Sequence, residues 1–333
     1  MTTRGLGAEA RVLITGGSGF IGTNLVESQL RAGRAVLNLD RCAPRDAGHA
    51  PYWRRMDMLD RAGLTRIVSE FEPTHVLNMA ARTDLDSDEV SSYATNVQGV
   101  ENLIAALSQV RSLERVVFAS SRLVCRIGYV PQSENDYCPS TAYGASKVEG
   151  ERIVRAARGL PVPWTIVRPT SIWGPWFDVP YRGFFTAIAR GRYVHPRGAL
   201  VRKSFGFAGN TVHQIAALLA APADKVDRRT LYLADDPPLL LDDWAERIRR
   251  ALDAPPLRSV PLPFLRAAAI AGTGMQRLGW NEVPLTCFRL DNLLTEMVYD
   301  LAPLQEIVGP PPIALDEGIR ETAAWLRSAG HAA

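Results

Sequence analysis

Residues 15–22 read Thr-Gly-Gly-Ser-Gly-Phe-Ile-Gly. A β-rich run, Arg11–Thr15, precedes them, and a helical pattern over Phe20–Arg31 follows, with Ile21, Leu25 and Gln29-Leu30 at helical spacing. Gly16, Gly19 and Gly22 space this turn as G-x-x-G-x-x-G. Glycine lets backbone turn tightly and approach a diphosphate, and the unpaired N–H groups of a helix start attract its charge. A second strand pattern, Ala35–Asp40, ends in a carboxylate 18 residues past Gly22. A carboxylate there accepts hydrogen bonds from ribose hydroxyls and repels a 2′-phosphate, which predicts NAD over NADP. Arg41 keeps NADP open, because a guanidinium beside Asp40 can serve that phosphate. Asp57-Met58 lies past a third strand, where a side chain can meet the adenine amino group. A solvated loop carboxylate is the other reading of Asp57.

Strand patterns recur at His75–Met79, Arg115–Ala119 and Trp164–Arg168. Helical patterns lie between them around Leu59–Phe71, Tyr93–Val110 and Tyr143–Ala157. Such alternation predicts an α/β fold: a Rossmann-type doubly wound parallel sheet with ligands at the carboxyl ends of its strands. Beyond Pro169 the chain is richer in Gly, Pro and aromatics, which predicts a smaller mixed C-terminal substrate lobe. The expected division is 10–172 for the dinucleotide-binding domain and 173–330 for the lobe, with part of 200–235 returning to the first. Arg229–Ala234 is a late strand, Asp242 an expected cap for a helix through Trp244 and Leu252, and Asn210 one for Thr211–Leu219. A terminal helix carries Leu315, Ile319, Thr322 and Leu326 on one face.

Tyr143 and Lys147 stand four apart at a helix start, hence on one face. An ammonium beside a phenol favours phenolate, which predicts a lowered Tyr143 pKa and a proton exchange with a substrate hydroxyl. Ser121 ends the Arg115–Ala119 strand region, at the ligand edge, and can orient that hydroxyl.

These residues, together with Asn78-Met-Ala-Ala81, Thr95-Asn-Val-Gln-Gly99 and Arg168-Pro169-Thr170, resemble the extended short-chain dehydrogenase/reductases. The likeness is to the NAD-dependent epimerase/dehydratase group acting on nucleotide sugars. It implies Ser121, Tyr143 and Lys147 as the catalytic set. It implies a cofactor site of Gly16, Gly19, Phe20, Ile21, Gly22, Asp40, Asp57, Met58, Ala80, Ala81, Tyr143, Lys147 and Pro169. It also implies a homodimer, and a structural role for Asn96. Dehydratases of the group carry an acidic pair after the catalytic hydroxyl residue, whereas this chain has Arg122-Leu123, which argues against water elimination.

Arg202 or Lys203 is a candidate grip for a substrate diphosphate, and Trp173, Trp176, Tyr181 and His195 are candidates to line the substrate pocket. The tail, with Tyr299-Asp300 and Gly309-Pro-Pro-Pro312, is similar to the 3β-hydroxysteroid dehydrogenase-like and dihydroflavonol reductase-like branches. Three activities follow as expectations: an NAD-dependent nucleotide-sugar 4-epimerase or ketoreductase, a hydroxysteroid-type or other ketone reductase, and a dinucleotide-binding regulator without catalysis.

Thirty-eight Lys+Arg against 35 Asp+Glu leave a net charge of +3, too little for a nucleic-acid footprint. The four cysteines have no zinc spacing, so no metal is expected, and reduced thiols are. Met1–Ala10 lacks the apolar core of a signal peptide and no stretch is long enough to span a bilayer, which predicts a cytoplasmic protein.

Overall fold

The runs read as strands are rich in Val, Ile and Leu, and in the computed structural model they lie side by side in one parallel sheet. The structure describes residues 7–160, 162–178, 181–280, 283 and 285–330. The leader reading over 1–6 therefore lies outside the described residues. The first six strands are β1 (Arg11–Thr15), β2 (Ala35–Asp40), β3 (Trp53–Arg55), β4 (His75–Asn78), β5 (Arg115–Ala119) and β6 (Trp164–Pro169). Later come β7 (Ser171–Trp173), β8 (Val194–Arg197), β9 (Arg202–Lys203), β10 (Phe205–Phe207), β11 (Arg229–Leu233), β12 (Leu239–Leu240) and β13 (Arg258–Pro261). The main sheet runs β11-β6-β5-β4-β1-β2-β3, all parallel.

Helices α1 (Phe20–Arg31), α2 (Arg61–Phe71), α3 (Ala94–Leu107) and α4 (Ala142–Ala156) connect these strands. Next are α5 (Tyr181–Ala189), α6 (Ala208–Ala220), α7 (Ala223–Val226) and α8 (Leu241–Ala251). The last four are α9 (Leu262–Arg277), α10 (Cys287–Leu294), α11 (Ala302–Val308) and α12 (Leu315–Ser328). Successive strand side chains point to opposite faces, so each strand feeds two cores. Leu13, Val76, Val116 and Ile166 pack against Leu64, Leu103 and Val154 of α2, α3 and α4. Their neighbours Val12, Ile14, Leu77 and Val167 pack against Leu25, Ile215 and Leu304 of α1, α6 and α11. The sheet is thus covered on both sides, and its order reverses between β4 and β1, which opens a crevice at the carboxyl edge.

The chain divides into two compact units. The first runs to Phe177 and takes in Gly206–Asp235 and Asp300–Ile313. The second holds Asp178–Phe205, Asp236–Tyr299 and the chain from Ala314. Its core is aromatic: Trp244 stacks on Phe184 at 5.0 Å and meets Phe205 at 5.1 Å and Phe185 at 5.6 Å. Among the described residues no helix is long and apolar enough to cross a membrane.

Two expected caps are corrected. Asn210 lies inside α6, which starts at Ala208 after the extended Phe207, and its amide holds Ile313 through both its carbonyl and its N–H. Asp242 lies in the first turn of α8, whose cap position is Leu240. Both helices start directly from a strand, so backbone direction replaces the side-chain cap.

Candidate active site

At Gly16 and Gly22 the turn has no room for a side chain. Gly16 has φ +71°, in the left-handed region, and a Cβ there would sit 2.6 Å from the Ala80 nitrogen. A Cβ on Gly22 would collide with the Gly16 carbonyl oxygen. Gly19 caps α1 with no side-chain hydrogen bond, which leaves the first amides of the helix open to an anion. A diphosphate fits this cradle because the missing side chains and the open amides coincide. Gly22→Ala should weaken NAD binding about 10- to 100-fold, from 1–3 kcal/mol of overpacking, as a fluorescence titration with NADH would measure. Unchanged affinity would show that the turn holds no diphosphate.

Asp40 ends β2 beside this turn. Its carboxylate accepts from the Ser18 N–H at 3.0 Å and the Cys42 N–H at 2.9 Å. Arg41 is drawn off to Asp57, at 3.8 Å, and Asp57 also accepts from the Leu59 N–H. Arg45 donates to the carbonyls of Ser18 and Trp176. Asp40→Ser should lower the NAD-to-NADP ratio of kcat/KM at least tenfold, because the carboxylate's repulsion of a 2′-phosphate is removed. A ratio that stays put would remove Asp40 from cofactor choice. The Met58 side chain belongs to the core, while Ala80 donates its N–H to Thr15 Oγ1 across β1 and β4. Ala81 follows in the same loop, and Pro169 closes β6 in register with Leu233.

Two strands over from β1, β5 leads into Ser120 and Ser121. Ser121 accepts from the Leu123 N–H and opens a 3-10 turn, Arg122–Val124, that packs on α4. Thr141 caps α4 through the Gly144 N–H, so the first helical turn presents Tyr143 and the second Lys147. All three residues are buried. Tyr143 faces the ring of Tyr93 at 6.1 Å. Asn96 bonds Arg82 on both backbone sides and Ser146 Oγ, which in turn donates to the Tyr143 carbonyl. That chain ties the loop after β4 to the helix that carries the phenol, which is the structural role the resemblance implied.

The electrostatics reverse the sequence expectation. Burial pushes the Tyr143 phenol up to about 12, against opposing effects of Ser121 and the Arg122 charge, and Lys147 does not figure among the causes. Lys147 instead donates to the Ala119 carbonyl at 3.0 Å, and burial pulls its ammonium down to about 8, opposed by Glu151. Spacing along a helix predicted the pair, but it says nothing of how dry the pair would be.

The lysine has a consequence for stability. Between about 8 and its ordinary 10.5 the unfolded chain holds a proton that the folded chain has released, so stability rises with pH across that window. Below 8 the full penalty of a buried ammonium remains. Lys147→Met should therefore raise stability at pH 7 by about 2–3 kcal/mol and flatten the dependence above pH 8 while turnover is lost. Urea melts at pH 7 and pH 10 test this; a destabilised variant at pH 7 would contradict it.

Beneath the serines lies a network that the sequence did not single out. Glu151 accepts from Ser120 Oγ at 2.6 Å, Tyr137 OH at 2.9 Å, and Arg168 Nε and Nη2 at 2.8 Å each. Arg168 and Glu151 are both 1% exposed. The chain's two other expected cations are also occupied. Lys203 is buried and donates to the carbonyls of Asn292 and Thr295, and Arg202 pairs with Glu296 at 2.7 Å, so neither is free to grip a diphosphate. Trp173 is corrected as well: it is fully buried against Phe207 at 5.1 Å. Trp176 is partly exposed, with its backbone at φ +71°. Tyr181 packs on Phe205, and His195 Nδ1 meets the Tyr193 hydroxyl at 2.9 Å. Away from the crevice, Glu27, Asp46 and His49 bring ligand atoms within 4.8 Å of one another, a cluster the sequence spacing did not suggest.

Comparison with known proteins agrees with this layout. The profile of the NAD dependent epimerase/dehydratase family matches residues 12–231. A 3 beta-hydroxysteroid dehydrogenase/Delta 5-->4-isomerase of Mycobacterium tuberculosis is 27% identical, covering 91% of this chain and 86% of its own. A UDP-glucose 4-epimerase of Vibrio cholerae is 25% identical, covering 95% and 96%. The crystal structure of a Thermus thermophilus UDP-glucose 4-epimerase in complex with NAD superposes with a TM-score of 0.71 at 24% identity, covering 96% of this chain and 99% of that one.

Proposed function

This chain belongs to the NAD-dependent epimerase/dehydratase family, as an NAD-dependent enzyme of the extended short-chain dehydrogenase/reductase type, and we propose that it is a nucleotide-sugar 4-epimerase or ketoreductase. The observation that carries this reading is the burial of Ser121, Tyr143 and Lys147 together at the carboxyl edge of a sheet whose β1 turn fits a diphosphate. NAD, when bound at that turn, supplies a hydride acceptor and a positively charged ring. Ser121 Oγ hydrogen-bonds the carbinol oxygen and fixes its direction. Tyr143 takes the hydroxyl proton in the oxidising direction and returns one when the ketone is reduced. Its raised pKa means that without cofactor it rests protonated, the form that donates to a carbonyl; the positive charge of a bound nicotinamide would favour the phenolate that the oxidising direction requires. Lys147, held by Ala119, places an ammonium one helical turn from the phenol.

A second reading is favoured by the Mycobacterium tuberculosis relative and by the occupied Arg202 and Lys203: reduction or oxidation of an apolar hydroxysteroid-type alcohol by the same three residues. The free thiols of Cys42, Cys125, Cys138 and Cys287 support a cytoplasmic setting, and the family resemblance supports a homodimer. An NMR-monitored screen of the protein with NAD against UDP-, GDP-, CDP- and dTDP-sugars separates the readings. A new sugar isomer without NADH release marks an epimerase, and stoichiometric NADH a dehydrogenase. Silence with every sugar, beside turnover of a lipophilic alcohol, replaces the first reading by the second.

A further inference from the structure

A cation stands beside the proposed reaction centre, and the steps above assign it no ligand. Arg122 follows Ser121 and begins the 3-10 turn that packs on α4. It is only 9% exposed, and its Nη1 is buried without a hydrogen-bond partner. Among the described residues no carboxylate pairs with it, and no acceptor meets its guanidinium. Other buried arginines of this unit are treated differently. Arg168 holds Glu151 with two nitrogens, and Arg115 donates to the carbonyls of Leu218 and Ala221. A guanidinium cannot shed its proton, so even one buried edge of it left without a partner is unfavourable. An anionic ligand would supply the counter-charge that the described residues do not.

The cofactor does not supply it. Its diphosphate belongs at the β1 turn, and β1 is separated from β5 by β4, two strand spacings or roughly 10 Å. The oxidised nicotinamide ring is itself a cation. The anion therefore comes with the substrate. The Arg122 charge is felt at the Tyr143 phenol, which places it close to the carbinol that the phenol serves. A planar fork of N–H donors matches the two oxygens of a carboxylate.

We propose that Arg122 binds a carboxylate on the substrate next to the reacting carbinol, so that the substrate is a β-hydroxy carboxylate. A nucleotide-linked uronic acid oxidised at C4 carries this unit, and so does a simple 3-hydroxyalkanoate. The inference rests on the carbinol chemistry assigned above to Ser121 and Tyr143.

Calorimetric titration of the NAD-loaded Tyr143→Phe protein reads binding without turnover. The probes are UDP-glucuronate, UDP-glucose and 3-hydroxyoctanoate. UDP-glucuronate should bind about 100-fold more tightly than UDP-glucose, and adding Arg122→Gln should shrink that gap to about threefold or less, with Arg122→Lys recovering part of it. Equal affinities for the two sugars, weakened alike by Arg122→Gln, would mean that Arg122 reads the diphosphate; the carboxylate assignment then falls and the nucleotide-sugar reading stands. Binding of 3-hydroxyoctanoate alone, dependent on Arg122, upholds the carboxylate and removes the nucleotide. Binding of none of the probes overturns both. Thermal melts of the ligand-free variants give a second readout. Loss of an unpaired buried charge should leave Tm unchanged or higher, whereas a fall of about 10 °C would make Arg122 a structural residue and end the proposal.

Discussion

Tyr143→Phe should lower turnover about 10³- to 10⁴-fold while NADH binding stays within a factor of about three. The substitution removes one oxygen from a ring whose position is set by groups that it leaves intact. Tyr93 still faces the ring at 6.1 Å, and Ser146 still holds the residue 143 carbonyl at 2.7 Å. The glycine turn, two strands away, is untouched. What disappears is the only proton-carrying group assigned to the carbinol besides Ser121. Because the phenol is buried, water cannot readily take its place. Steady-state rates on the active substrate and a parallel NADH titration give the answer. A variant that keeps more than about a tenth of the rate would show that the proton leaves by another route.

The second large effect concerns stability. Arg168→Met should destabilise the protein by about 3–5 kcal/mol, because it leaves Glu151 charged, 1% exposed and without its bidentate partner. Ser120 and Tyr137 would still donate to that carboxylate, but neither carries charge, and the remaining cation, Arg155, stands off at 3.7 Å. The Tyr232 hydroxyl and the Glu134 carbonyl would lose a donor as well. Replacing both charges together, Arg168→Met with Glu151→Leu, should recover much of the loss, since neither ion is then stranded. Urea denaturation of the two single variants and the double variant closes this cycle. A single-variant loss under about 1 kcal/mol would mean that water reaches the pair and screens it. The network also fixes Ser120, so activity should fall in the single variants before unfolding sets in.

Local signals carried much of this fold. β1, β2 and α1 have the bounds that the Val/Ile/Leu runs and the helical spacing of Ile21 and Leu25 predict. The turn between them was legible because glycine at 16, 19 and 22 has few other uses at that spacing. Tyr143 and Lys147 were legible for a similar reason: four residues on a helix set two side chains on one face. What escaped depends on partners distant in the chain. Glu151 is one more acidic residue of α4 until β6 places Arg168 beside it. Asn210 looked like a cap because its true partner, Ile313, lies 103 residues on. Lys203 looked like a phosphate ligand because nothing local shows that the carbonyls of Asn292 and Thr295 close over it. The pKa of Tyr143 was predicted in the wrong direction for the same cause, since burial is a property of the whole unit. The acidic pair missing after Ser121 read as the loss of one chemistry. In the fold, its replacement Arg122 is a buried cation whose Nη1 has no hydrogen-bond partner.

The most direct test follows a label on the carbon that the phenol serves. The NAD-loaded protein is given its active substrate deuterated at the reacting carbinol, and the product and the cofactor are analysed by NMR and mass spectrometry. The account predicts that deuterium stays on that carbon of the epimer or is found on the nicotinamide, with none in water, and that Tyr143→Phe moves it at least about 10³-fold more slowly. Deuterium washed out to solvent, or label movement at the same rate in Tyr143→Phe, would contradict it.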